Sequence, residues 1–258
     1  MSEHTERTID PADVLTRPAP PPDVVLRYGD HPDHVIDLRL PATPAGPLVV
    51  FLHGGFWRAA YDRAHTGPLA ADLAARGFPV ACPEYRRVGQ PGGGWPGTLD
   101  DVEAALAALP DLVRPHADPA GAILAGHSAG GHLALLNAHT PGLTGVVALA
   151  PVADLAEGYR AGIGSGAVAA LVGGGPHDVP ERFDRADPAR RGPLPVPTVI
   201  IHGDADDRVP LANAAGYAAS VGGDFCRIQV LSGVEHFAVI DPLSESWHYV
   251  LTALAGLR

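Results

Sequence analysis

Six short, mostly apolar runs constrain this chain most: Leu48–Leu52, Pro79–Cys82, Ala122–Ala125, Gly145–Ala150, Thr198–Ile201 and Cys226–Leu231. A strand with one wet face alternates apolar and polar residues. These runs do not alternate, so they read as strands buried on both faces, the pattern of a parallel sheet. Helix-like stretches lie between them: Gly67–Arg76 (closed by Gly77), Leu99–Leu109, Ser128–His139, Leu211–Val221 and Glu245–Leu257. Before all of these, Val24–Tyr28 and His34–Leu40 do alternate, as outer strands would. The expectation is an α/β fold: a mostly parallel, eight-stranded, doubly wound sheet with helices on both faces. A chain of 258 residues can form this as one domain.

Two segments interrupt the rhythm. Residues 1–22 are polar and end in Arg17-Pro18-Ala19-Pro20-Pro21-Pro22, which reads as an extended arm leading into a domain over 23–258. Residues 152–195 are rich in Gly, Ala and Pro and far exceed an ordinary connection of about 2–6 residues. They read as a small cap inserted over the C-terminal edge of the sheet, where open α/β sheets bind ligands.

Charge and cysteine content remove several function classes. The formal net charge is −11, Lys plus Arg is 18, and no basic run occurs. Nucleic acid, anionic membrane and polyanionic substrates are poor partners for such a surface. Cys82 and Cys226 each lie in or beside an apolar run and read as free thiols. The polar start Met1-Ser2-Glu3-His4 is not followed by a signal-type apolar region, so the expected location is cytoplasmic. A homodimer is left open.

The most informative stretch is Gly121-Ala122-Ile123-Leu124-Ala125-Gly126-His127-Ser128-Ala129-Gly130-Gly131-His132. It holds G-x-S-x-G between a buried strand and an Ala/Leu-rich helix, the context that motif requires. A serine on so tight a turn needs neighbours without side chains at −2 and +2, and the helix N-terminus behind it favours developing negative charge.

In this setting the chain resembles the α/β-hydrolase superfamily from about residue 24 to 257. That resemblance implies a triad in the order Ser, then Asp or Glu, then His. Ser128 is the nucleophile. His202-Gly203-Asp204-Ala205-Asp206-Asp207-Arg208-Val209-Pro210 resembles the D-x-x-V-P turn carrying the acid. That register selects Asp206, with Asp207 as runner-up and Asp204 as a loop-capping residue. His236, in Ser232-Gly233-Val234-Glu235-His236-Phe237, stands where the base belongs. Among the 13 histidines, His127 and His132 precede the acid, His202 ends a strand and His248 lies inside the last helix. The His31, Asp33, His34, Asp37 cluster reads as a polar loop rather than a metal site. The chemistry implied is proton abstraction from Ser128 by His236, with Asp206 fixing the imidazole. It needs neither metal nor organic cofactor.

The resemblance also places an oxyanion hole at the N–H of Ala129 and at the loop His53-Gly54-Gly55-Phe56, with Gly54, Gly55 and Phe56 as candidates. This loop continues into Trp57. H-G-G-x-W resembles the kynurenine formamidase (arylformamidase) and esterase branch, which implies a small ester or amide as substrate. Phe56, Trp57, Trp95, Tyr159 and Phe237 are the candidates for holding it. Trp57 has two readings, as a selector of the acyl group or as a support packed under the loop. Glu84-Tyr85-Arg86 reads as structural. The competing classes are a general carboxylesterase, a prolyl oligopeptidase-type peptidase without its propeller, and a non-catalytic binding protein of the same fold.

Overall fold

A computed structural model of the chain describes residues 10–222 and 225–257. The strands are β1 (Val24–Arg27), β2 (Val35–Arg39), β3 (Val49–Leu52), β4 (Val80–Pro83), β5 (Ala122–His127), β6 (Leu143–Leu149), β7 (Thr198–Gly203) and β8 (Cys226–Leu231). The helices are α1 (Gly67–Ala75), α2 (Gly97–Val113), α3 (Ala129–Leu136), α4 (Leu155–Arg160), α5 (Ala167–Val172), α6 (Pro180–Ala186), α7 (Leu211–Val221) and α8 (Trp247–Ala255). Among the described residues these eight strands form one sheet in the order β1-β2-β4-β3-β5-β6-β7-β8.

The first two strands pair antiparallel, β2 also meets β4 antiparallel, and the remaining pairings are parallel. The crossing between β3 and β4 puts β3 directly beside β5, so both strands deliver their C-terminal loops to one place. Every residue of β3, β4, β5 and β7 is buried, as unbroken apolar runs require, but β8, at the sheet's edge and carrying Arg227 and Gln229, is not the doubly buried strand expected, and only its Leu231 is buried. Two apolar clusters cover the faces. One, around α2, α3 and α4 to α6, includes Leu52, Leu133 and Trp57; the other, around α1 and α8, includes Phe51, Leu73 and Trp247.

Residues 152–195 hold α4, α5 and α6. Asn213 of α7 ties this segment to the sheet, accepting from the Ala153 N–H at 2.7 Å and donating to Asp154 O at 2.8 Å. Asp187 Oδ1 accepts from the Leu155 N–H at 3.0 Å.

The arm differs from its expectation. Residues 1–9 of the expected 1–22 arm lie outside the described residues, and Pro11–Leu15 is a 3-10 turn rather than extended chain. Asp10 caps it by accepting from the Ala12 N–H, and Pro11 supplies the fixed first position. Val14 is fully buried in the α1/α8 cluster. Hydrophobic burial of that side chain holds the turn against the domain, which composition alone did not convey.

Candidate active site

The turn at the end of β5 is shaped by what its neighbours lack. Ser128 has φ 55° and ψ −116°, and its side chain does not cap the helix it precedes. A Cβ on Gly130 would stand 2.0 Å from Leu52 O and 2.4 Å from His53 O; one on Gly126 would stand 2.2 Å from Gly130 O. Backbone thus packs on backbone, and Ser128 is held in a conformation costing about 1–3 kcal/mol. Ala129 opens α3, so its N–H has no carbonyl partner within that helix.

His236, in the loop after β8, is buried at 3% exposure, and its Nδ1–H donates to Asp206 Oδ2 at 2.7 Å. Asp206 Oδ1 accepts from the N–H groups of Arg208 (2.9 Å) and Val209 (2.8 Å). His202 Nε2 lies 3.2 Å from Asp206 Oδ2 and 2.9 Å from Val209 O. Burial pushes the Asp206 carboxyl up, but hydrogen bonds from His202 and His236 and the His236 charge outweigh it and hold it well below the usual range. Asp207 is exposed and pairs only with Arg208 at 3.3 Å, while Asp204 Oδ1 accepts from the Gly233 N–H. Of the three carboxylates, Asp206, the one that the D-x-x-V-P register selects, is the one that meets His236.

His127 lies beside His236, with ring centroids 4.5 Å apart. Its Nε2–H donates to His236 O at 3.0 Å, and burial together with the neighbouring His236 holds its pKa well below the usual value. A neutral His127 therefore braces the loop carrying His236. Sequence order had set this residue and His202 aside. The i, i+4 spacing of His202 and Asp206 was the available signal.

Ser128 and His236 share a cavity of about 180 Å³ with His127, Gly55, Phe56 and Phe237. Gly55 has φ 111°, and Phe56 and Trp57 have φ 52° and 55°. A Cβ on Gly54 would lie 3.0 Å from His127 O and 3.3 Å from Ser128 Cβ, so this loop rests on the elbow. Beneath it, His53 Nδ1–H donates to Gly54 O and Nε2 meets Glu84 Oε1, both at 2.8 Å. The Tyr85 hydroxyl donates to His53 O at 2.7 Å.

The aromatic candidates divide. Phe56 and Phe237 line the cavity. Trp57 does not. It is fully buried in the core, edge-on to His132 at 5.1 Å. Its indole N–H and His132 Nδ1 have no partner among the described residues. Trp95 is half-buried, beneath the guanidinium of Arg185 at 5.4 Å, and Tyr159 is 40% exposed on α4. Neither lines the cavity. The sequence offered these three as flat faces, but side-chain direction is set by packing that the sequence does not display. Tyr61, His65 and Arg208 line the cavity unforeseen, as do Ala12 and Leu15 from the arm. The N-terminal His/Asp cluster is engaged in pairs: His34 with Asp101 (3.0 Å), Asp33 with Arg87 (3.2 Å) and Asp37 with Arg63 (3.0 Å). No group of metal-type ligands occurs among the described residues, and Cys82 and Cys226 are free thiols.

A model of the family BD-FAE matches residues 36–219, from β2 to the end of α7. The chain belongs to the BD-FAE family. The match includes Ser128 and Asp206 and stops short of His236.

Curated relatives of this BD-FAE chain match over part of its length. A probable isoprenylcysteine alpha-carbonyl methylesterase of Arabidopsis thaliana is 34% identical over 110 residues, 42% of this chain and 22% of that protein. A kynurenine formamidase of Danio rerio is 30% identical over 112 residues, 42% of this chain and 36% of that protein. The chain thus spans well under half the length of these relatives. Among solved structures, esterase B from Lactobacillus rhamnosis superposes with a TM-score of 0.78 at 20% identity, covering 96% of this chain and 89% of that one. A carbohydrate esterase from gut microbiota gives 0.77 at 20% identity, covering 90% and 94%. At such identity the likeness concerns the fold, which is that of the α/β-hydrolases. No helix among the described residues is long and apolar enough to cross a membrane.

Proposed function

We propose that this protein is a serine hydrolase that cleaves a small acyl ester or amide through Ser128, His236 and Asp206. The observation that carries this reading is the convergence of three separate loops. Ser128 and His236 face one small cavity, and Asp206 stands 2.7 Å behind the far nitrogen of His236. In this reading His236 Nε2 takes the proton as Ser128 Oγ attacks the carbonyl carbon. The tetrahedral oxyanion is met by the N–H of Ala129 and by an N–H of the Gly54-Gly55-Phe56 loop. Collapse expels the alcohol or amine, protonated by His236, and water repeats the sequence on the acyl-enzyme to release the acid. Asp206 stays ionised and holds the imidazole in the tautomer that this transfer needs. No metal or organic cofactor enters these steps.

The substrate is a small molecule. A cavity of about 180 Å³ lies below the roughly 300–1,000 Å³ of drug-sized sites. The first reading is a short-chain ester. A formamide of the N-formylkynurenine kind is the second, supported by the Phe56 and Phe237 rings at the cavity and by the relatives named kynurenine formamidase. With Trp57 in the core, it no longer supplies a physical reason to prefer formyl.

A fluorophosphonate probe should label the wild-type protein and fail to label Ser128→Ala. Absence of Ser128-dependent labelling would reject hydrolysis in favour of a binding role. Asp206→Asn should lower kcat by about 10⁴-fold, against less than about twofold for Asp207→Asn. Comparison of kcat/KM for N-formylkynurenine and p-nitrophenyl acetate separates the two substrate readings.

A further inference from the structure

The arm that composition marked as a lead-in forms one wall of the catalytic cavity. Ala12 and Leu15 line that cavity together with Ser128 and His236. Leu15 also lines a second, larger groove of about 680 Å³, which runs along the arm from Leu15 to Pro22 and over Arg63–Gly67. Tyr61 and His65 belong to both spaces as well. A partition made of three side chains therefore divides a small reactive chamber from a roomier apolar-and-polar trough.

The arm is fastened on both sides of Leu15. Before it, Val14 is fully buried and Asp10 caps the turn. After it, Arg17 forms a two-pronged ion pair with Asp241, Nη1 to Oδ1 and Nη2 to Oδ2, the latter at 2.8 Å. The Asp241 side chain is only 2% exposed, and it closes the short helical turn Ala238–Ile240 that follows His236. Further on, Arg39 donates to Pro21 O at 3.0 Å and also to Pro20 O. An ion pair with a buried carboxylate in fork geometry is a strong anchor, far more so than an exposed pair. A wall so fixed restricts substrate by shape, since a packed aliphatic side chain cannot move aside without losing its contacts.

We propose that Leu15 is a specificity-determining residue: it closes the reactive cavity against the larger groove and so limits the chain length of the substrate. Arg17 and Asp241 act through it as positioning residues. This rests on Ser128 being the nucleophile of the proposed hydrolase. Leu15 and Arg17 precede position 36, where the family match begins, and Asp241 follows position 219, where it ends, so this limit on size lies outside the matched segment.

The experiment is a pair of substrate series. One varies the acyl group (p-nitrophenyl acetate, butyrate, octanoate). The other varies the leaving group on acetate (phenyl, 4-nitrophenyl, 2-naphthyl). Each is run on wild type, Leu15→Ala, Leu15→Phe and Arg17→Gln, with active sites counted by fluorophosphonate titration. Leu15→Ala should raise the ratio of kcat/KM for the longest to the shortest member by at least about tenfold in one series, as expected for apolar space opened in a pocket. Leu15→Phe should lower that ratio, and Arg17→Gln should move it in the Leu15→Ala direction by a smaller factor. A destabilised protein would lose activity on all members alike, so a changed ratio reports shape. Ratios that stay within about twofold of wild type in both series would overturn the gate. If the titrant does not react at Ser128 in wild type, the hydrolase reading falls and the gate with it; if it reacts and the ratios do not move, the gate alone falls.

Discussion

At the end of β5 the chain turns through Gly126–Gly130; one strand away, at the end of β3, it turns through His53–Trp57. Both turns hold residues other than glycine at positive φ, Ser128 in one and Phe56 and Trp57 in the other. They meet where Gly54 rests on His127 and Ser128. They are held by opposite means. The elbow is enforced by missing side chains, with carbonyl oxygens of Leu52, His53 and Gly130 standing where a Cβ would go. The glycine loop is enforced by side chains below it: His53 on Glu84, Tyr85 on His53 O, and Trp57 in the core. A geometry set by backbone contact admits almost no substitution. A geometry set by braces can be weakened in steps.

The largest effect should therefore come from Gly130→Ala. Its Cβ would meet two backbone oxygens that cannot rotate away, so the loss should exceed about 3 kcal/mol and lower Tm by roughly 10 °C, read by calorimetry. A Tm within two or three degrees of wild type would mean the elbow yields more than its contacts suggest.

On the loop side, Glu84→Gln should keep the fold and lower kcat by about 10²-fold, with KM little changed. That is the scale of losing one oxyanion donor's alignment. A pure rise in KM would instead assign the loop to ground-state binding.

Acid should separate the buried histidines from the buried carboxylate beneath the loop. His132, on α3 behind the elbow, is fully buried, and burial pushes it down to about 4, outweighing its hydrogen bond to Ala186 O. Burial pushes Glu84 up, but the charge and hydrogen bond of His53 and the Arg63 N–H outweigh it and hold it at about 2. A depressed histidine contributes its stability fully above its ordinary value of 6.5 and loses it as pH falls towards 4. Glu84 contributes fully above 4.5 and loses its share only towards 2. Urea denaturation from pH 7 to 3 should show the loss carried by His132, and by His65 beside His53, before that of Glu84. That loss should shrink by on the order of 3 kcal/mol in His132→Gln. An unchanged pH 6.5–4 limb in that variant would reject the assignment.

The smallest effect should be on selectivity in Trp57→Phe. Stability should fall by about 1–2 kcal/mol as packed ring area is lost, while the preference between formyl and acetyl substrates should shift less than about twofold. A large shift in that preference would return Trp57 to the substrate side of the loop.

Much of this site could be read along the chain because it obeys local rules. Unbroken apolar runs give strands buried on both faces, and β5 followed by G-x-S-x-G and a helix puts Ser128 on the elbow whatever else surrounds it. That Ser128, Asp206 and His236 reach one edge was legible too, since they follow β5, β7 and β8 and parallel strands open their loops at one edge. Which way a side chain leaves the backbone was not. Phe56 and Trp57 are adjacent, both at positive φ, yet one lines the cavity and the other is core. Trp95 and Tyr159 do not line the cavity: Trp95 lies beneath Arg185, and Tyr159 is 40% exposed on α4.

The sheet, the strained turn at Ser128 and the chain order Ser128, Asp206, His236 follow from the sequence, because periodicity, glycine spacing and strand direction act over neighbouring residues. Tertiary packing alone sets His127 against the His236 loop and His202 against Asp206, and puts Leu15 of the proline-rich arm in the cavity wall. Those are contacts between segments up to 224 residues apart, as from Arg17 to Asp241. They are fixed by packing and charge pairing in three dimensions, which no local pattern encodes.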